Sequence, residues 1–236
     1  MTSQPDLTPP EVPVALLASG GVDSCALLGL LIESGVAVIP IYVRAGHSWE
    51  KEEARALEHF LKAIGYTGKI ETIALELGAL CEAARGGYKP SYYEGYEANF
   101  LPGRNLVLLA AGAILANSVG ASTLALGTLS GNPYPDAQPA FFEAFEQTAG
   151  LALESPIHVW APLTGLDKPD LVRLARHLPL ELSMSCVLPD GGLHCGDRCN
   201  KCAERQRGFA LAGVKDRTRY AHPAPAIDWT KETWWA

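Results

Sequence analysis

Apolar runs and helical patterns alternate along this chain. Residues 12–18, VPVALLA, form an unbroken apolar run, as expected of a strand covered on both faces. A helix is predicted over 24–34, closed by Gly35. VAVIPIYV at 36–43 predicts a second strand, with Pro40 a misfit inside it. Ala54, Leu57, Phe60, Leu61 and Ile64 repeat at the 3.6-residue period, so 49–64 reads as an amphipathic helix capped by Gly65. IETIAL at 70–75 is a third strand, and a helix over 104–119, a strand over 122–127, a helix over 139–149, a strand over 157–161 and a helix over 168–178 follow. The segment 85–103 is rich in Gly, Pro and Tyr and reads as a long loop, a length usually tied to function. This alternation builds βαβ units, so the expected fold is α/β with a doubly wound parallel sheet. From about residue 181 the chain is cysteine-rich, then helical over 200–212, then a tail with Trp229, Trp234 and Trp235. The expected organisation is an arm over 1–11, an α/β domain over 12–180, a four-cysteine segment with its helix over 181–220, and a tail over 221–236.

Composition narrows the class. The chain has 236 residues, 48% hydrophobic and 19% charged, enough to bury a core without disulfides and neither disordered nor fibrous. A net charge of −7 argues against coating nucleic acid by bulk charge, and nucleic acid is not expected as the main partner. One stretch runs the other way: 198–219 holds seven basic residues against Glu204 and Asp216. A grip on tRNA phosphates and a solvated helix face both remain open for it. The longest apolar run, Leu106 to Ala116, is eleven residues, against the roughly 20 that span a bilayer. The opening MTSQPDLTPPEVP has neither the basic start nor the apolar core of a secretory signal. A soluble, cytoplasmic protein is expected.

The first chemical signal lies where the first strand meets the first helix: Ser19-Gly20-Gly21-Val22-Asp23-Ser24. Two glycines let successive backbone N–H groups converge on an anion, and the helix N-terminus adds its own free N–H groups. Ser19 and Ser24 can donate hydroxyl hydrogen bonds to the same anion. Asp23 would repel a bare phosphate, so its natural role is through Mg²⁺. The Walker and GxGxxG patterns are both missing at this turn. The hexapeptide SGGxDS resembles the PP-loop of the N-type ATP pyrophosphatases. That resemblance implies cleavage of ATP to AMP and pyrophosphate with adenylation of an acceptor oxygen. Pyrophosphate binding then falls to Ser19, Gly20, Gly21 and Ser24.

The second signal is four cysteines, Cys186, Cys195, Cys199 and Cys202, spaced C-x8-C-x3-C-x2-C. Four thiolates match tetrahedral Zn²⁺, and a site filled by protein ligands alone is structural. His194, beside Cys195, is an alternative ligand, and reactive thiols are an alternative reading of the cluster. Cys25 reads as a small core residue.

With both signals in place, the chain resembles the 7-cyano-7-deazaguanine synthase family over most of 12–219. Leu101-Pro102-Gly103-Arg104-Asn105 is similar to that family's GRN segment, and Tyr134-Pro135-Asp136 to its YPD substrate loop. Lys168 sits where the family has a lysine before a helix. Ser183-Met184-Ser185-Cys186 and the run from Cys195 through Cys202, Arg205 and Gly208-Phe209 resemble its zinc segment. The resemblance implies an adenine nucleotide alpha-hydrolase-like sheet and an ATP-dependent carbon–nitrogen ligase. Its substrates would be 7-carboxy-7-deazaguanine and ammonia, taken through an adenylate and an amide to the nitrile for queuosine-type nucleosides. Members are often dimers, which leaves a homodimer open. Lys168 becomes the candidate cation for phosphate. Arg104, whose guanidinium fork suits phosphate or carboxylate, joins it as a candidate catalytic group. Asp136 and Asn105 become candidate substrate contacts, Asp136 for the N–H groups of a guanine-like base. His47 and a lid of Tyr88, Tyr92, Tyr93 and Tyr96 are further candidates. Three stretches depart from the family: Val43-Arg44-Ala45-Gly46-His47 stands for YGQRH, Ala137-Gln138-Pro139 replaces the Cys-Arg that follows YPD, and Cys195 to Cys199 has one residue more than the familiar C-x2-C. The acceptor is therefore either the deazaguanine acid or another carboxylate, with tRNA as a third reading.

Overall fold

The computed structural model describes residues 5–75 and 103–231. The predicted tyrosine lid and the Trp234-Trp235 end lie outside the described residues. Among those residues, five strands form one parallel sheet: β1 (Val14–Leu17), β2 (Val38–Arg44), β3 (Glu71–Ala74), β4 (Thr123–Ala125) and β5 (His158–Trp160), in the order β3-β2-β1-β4-β5. Six helices accompany them: α1 (Val22–Glu33), α2 (Glu50–Ala63), α3 (Arg104–Ser118), α4 (Pro139–Leu153), α5 (Lys168–Leu174) and α6 (Asn200–Ala212).

The alternation of side chains along β1 explains the layers. Val14 and Leu16 join the core shared with α1, α2 and α5, while Ala15 joins the core shared with α3 and α4. Both sheet faces are covered, which is why the strands read as continuous apolar runs. Leu16, Leu27, Leu28 and Phe60 are fully buried, each stabilising the fold by about 1.5–3 kcal/mol of apolar transfer. β2 joins one edge of β1. β4 joins the other, after the chain has crossed over from β3. The loops leaving β1 and β4 therefore diverge at their carboxyl ends and open a crevice at the switch point.

Pro40 is tolerated inside β2 for a specific reason. Ala37 and Ile41 turn their carbonyls to β1, whereas Arg44 turns its carbonyl to β3, so even-numbered residues face β3. The β2–β3 register begins only at Ile41 opposite Glu71. The N–H that Pro40 lacks would point past the start of β3, where nothing needs it.

Helix ends differ from the prediction where capping overrides composition. α1 starts two residues early, because Gly21 is its N-cap. α4 runs through Gly150 and stops at Glu154, which takes a left-handed φ of 51°. α5 ends at Leu174, and the chain then bends into Pro179. The cysteine segment packs Met184, Val187 and its four thiols against Ala56 and Trp49 of the α2 region. No described helix is long and apolar enough to cross a membrane.

Candidate active site

The glycine turn is held from two sides. Gly20 takes φ +79°, and a Cβ there would lie 2.5 Å from the Glu53 carbonyl oxygen, so the α2 backbone closes one side. On the other side the Met184 N–H donates to the Gly20 carbonyl at 2.7 Å, and the Val22 N–H donates to Ser185 Oγ at 3.4 Å. Ser19 Oγ accepts the Gly21 N–H and lies 3.3 Å from Ser24 Oγ, which donates to the Gly21 carbonyl. The N–H groups of Asp23 and Ser24 find no protein acceptor among the described residues. They stand at the N-terminus of a three-turn helix beside a cavity of about 420 Å³, a ready anion site. The predicted Ser19, Gly21, Asp23 and Ser24 all line that cavity, as do Arg104, Asn105 and Lys168.

Its floor carries a charge network that sequence reasoning only half saw. Lys168 Nζ donates to both Asp23 oxygens at 2.6 Å and sits 2.9 Å from Glu204 Oε1, while Lys201 Nζ meets Glu204 Oε2 at 2.7 Å. Burial works against the charge of Lys168, but Asp23 and then Glu204 outweigh it and hold its pKa above the ordinary lysine value. Burial likewise opposes ionisation of Glu204, and Lys168 and Lys201 pull its pKa well below the carboxylate range. Gly208 makes room: a Cβ there would lie 2.5 Å from Lys168 Cγ, so the lysine lies flat across α6. Lys168 is thus where the resemblance put it, but its ammonium is engaged by two carboxylates. Glu204 and Lys201 were missed as partners. The signal was their i, i+3 spacing directly behind Cys199 and Cys202.

The opposite wall is built by α2, α3 and the loop after β4. Asp136 Oδ2 accepts the Asn105 N–H at 2.9 Å, and Asn105 Nδ2 donates to the Asp136 carbonyl at 3.2 Å. Asp136 thus ties down the start of α3, and Asn132 and Tyr134 line the cavity beside it. His47 stacks on Trp49 with ring centroids 4.4 Å apart at the cavity edge. Glu53, unforeseen, lines the same wall. Burial pushes its pKa from 4.5 to about 8 against the opposing charge of Arg104 and hydrogen bonds from Trp49 and Tyr42, with Glu50 adding to the rise. A carboxyl raised on folding loses stability as pH climbs from its unfolded to its folded value. Wild type is therefore expected to lose more thermal stability than Glu53→Gln between pH 5 and about 8. Melting curves across that range check this, and parallel pH profiles would contradict it.

Within the basic stretch Arg205 is 1% exposed and Lys201 is paired with Glu204, while Arg198 pairs with Asp190 at the surface.

The four cysteine sulfurs all lie within 4.8 Å of one another, with measured separations of 3.7, 3.6 and 3.6 Å. A disulfide needs about 2.05 Å, whereas a tetrahedron of sulfurs about 2.3 Å from a metal has edges near 3.8 Å. N–H groups of Leu188, Cys195 and Cys202 donate to the Cys186 and Cys199 sulfurs at 3.3–3.4 Å, as thiolates require. The residues fit a closed thiolate metal site. His194 Nε2 instead accepts the Ser185 N–H at 3.1 Å. Burial, and then the charge of Arg205, push its pKa down to about 3, so the ring is neutral.

Comparisons with known proteins agree with this geometry. Among solved structures, the crystal structure of a 4-thiouridine synthetase–RNA complex with bound ATP matches 91% of this chain and 48% of its own, at TM-score 0.51 and 18% identity, a likeness of fold alone. The shared fold is a five-stranded parallel sheet with helices on both faces. The 7-cyano-7-deazaguanine synthase of Anaeromyxobacter dehalogenans is 34% identical over 223 residues, covering 87% of this chain and 94% of its own. That of Azotobacter vinelandii is 34% identical over 224 residues, covering 89% and 99%. The family model described as queuosine biosynthesis protein QueC matches residues 14–213, from β1 through the end of α6. That match takes in both the glycine turn and the four-cysteine cluster, and the chain belongs to the QueC family.

Proposed function

We propose that this chain is an ATP-dependent carbon–nitrogen ligase that converts 7-carboxy-7-deazaguanine and ammonia to 7-cyano-7-deazaguanine. The observation that carries it is the pair of amides at Asp23 and Ser24, without a protein acceptor among the described residues and opening into a cavity in a chain of this family. A carboxylate is a poor electrophile. Transfer of AMP to its oxygen gives a mixed anhydride and releases pyrophosphate. Ammonia then displaces AMP to form the amide, and adenylation of the amide oxygen followed by loss of AMP and protons leaves the nitrile. Negative charge builds on the α-phosphate and on the departing pyrophosphate. The Asp23 and Ser24 amides at the α1 N-terminus receive it without reorganising, and the Ser19 and Ser24 hydroxyls can turn toward it.

Asp23 offers hard oxygen ligands at the cavity mouth and would hold Mg²⁺ there. That ion supplies charge neutralisation, and Lys168 fixes the Asp23 carboxylate. Arg104 faces the acceptor side of the cavity, where a guanidinium can fork onto a carboxylate. The thiolates hold Zn²⁺ in a structural role, since no ligand position is left for water.

Because Asp136 is tied to Asn105 and lies outside the cavity lining, a second reading keeps the chemistry but takes another carboxylate as acceptor. Exchange of labelled pyrophosphate into ATP separates the two. Exchange dependent on 7-carboxy-7-deazaguanine is expected. Exchange only with a different acid would move the substrate and keep the class, and no exchange with any acid would end the ligase reading. Steeply salt-dependent tRNA binding would favour the tRNA reading instead.

A further inference from the structure

Arg205 is the one fully buried arginine among the described residues, at 1% exposure, and none of them gives it a carboxylate. Its Nε donates to Thr218 Oγ1 at 2.9 Å, Nη1 to Ser183 Oγ at 2.8 Å and Ser185 Oγ at 3.4 Å, and Nη2 to the Leu180 carbonyl at 2.7 Å. The Phe209 ring lies 5.2 Å from its central carbon. Every partner is neutral. A buried cation kept without a counter-ion is costly, so a fold retains it where an anion arrives.

The position says which anion. Arg205 lines the cavity, and its partner Ser185 also accepts the Val22 N–H at the start of α1. The segment 183–185 that it clamps is the one whose Met184 N–H holds Gly20. In the floor beside it, the two lysines and two carboxylates of the Lys168–Asp23–Glu204–Lys201 network cancel. Arg205 is left as a buried positive charge beside the glycine turn, in a cavity that Arg104 and Arg207 also line.

We infer that Arg205 is a positioning residue whose counter-charge is the bound triphosphate: it shapes the glycine turn through Ser183–Ser185 and favours phosphate charge without touching it. The inference rests on the reading that ATP occupies this cavity. It predicts that Arg205 discriminates nucleotides by their phosphate charge.

Calorimetry with ATP and with adenosine tests this on wild type, Arg205→Met and Arg205→Lys. In a folded Arg205→Met, ATP should bind about tenfold or more weakly, with adenosine affinity within about twofold of wild type. Arg205→Lys, which restores the charge and little of the hydrogen-bond fork, should recover most of the ATP affinity. Equal loss for ATP and adenosine, no loss for ATP, or a lysine variant as weak as the methionine one would each overturn the inference. If Arg205→Met does not fold, Ser185→Ala decides: ATP affinity falling severalfold with adenosine unchanged supports it, and unaltered ATP affinity refutes it. Wild type that binds no ATP would instead overturn the reading of the cavity itself.

Discussion

Asp23→Ala is expected to make no measurable AMP from ATP and the acceptor acid while remaining folded. Loss of one preorganised charge at a phosphoryl centre costs about 10²–10³ in turnover. Asp23 also anchors Lys168, so both effects fall on one substitution. The variant leaves Lys168 with Glu204 alone. Breaking a buried pair costs about 3–5 kcal/mol, but the Asp23 side chain is 32% exposed, and screening reduces this to about 1–2 kcal/mol. At about 2–4 °C per kcal/mol for a chain of this size, the melting point should drop by only a few degrees. Asp23→Asn, which keeps an oxygen for Lys168, should lose the same turnover with a smaller thermal loss. Product analysis by chromatography beside a melting curve measures both, and a folded Asp23→Ala with full activity would remove Asp23 from the chemistry.

The second large effect is metal removal. Four thiolates close to 3.7 Å apart and buried are a poor arrangement without a cation among them. Structural zinc contributes about 10–16 kcal/mol of binding free energy in small sites. Stripping it under reducing conditions should lower the melting point by about 10 °C or more, and Cys199→Ser or Cys202→Ser should do the same. Elemental analysis should give one zinc per chain in the untreated protein. A metal-free chain with an unchanged melting curve would return the cluster to the reactive-thiol reading.

The element order was legible because the central strands are apolar runs separated by helix-length segments, and α2 carries a clear 3.6-residue period. Gly65 as the cap of α2 is one such local signal, confirmed by its φ of 74°. The geometry of the glycine turn and the cysteine cluster was legible for the same reason: all their atoms come from short contiguous stretches. What was not legible depends on distant meetings. Lys168 reaches Asp23 across 145 positions, and nothing local says that its ammonium is already claimed. Arg205 looked like surface charge beside the cysteines, because its burial is set by Ser183, Thr218 and Phe209 around it. Asp136 looked free in a Pro-Asp turn, and only the arrival of α3 occupies it. Glu53 carried no sequence signal beyond membership of an acidic helix face, since its raised pKa comes from the wall it joins.

Helix α6 begins inside the cysteine knuckle, with Cys199 as its N-cap and Cys202 in its first turn. Within one turn of Cys202 on the same helix stand Lys201, Glu204 and Arg205. A rigid turn cannot release one side and keep the other in register. With zinc in the cluster and ATP in the cavity, as proposed, nucleotide titrations are expected to double as an assay of metal loading: under-filled preparations should display a reduced count of competent sites, and topping them up with zinc before the measurement should restore it.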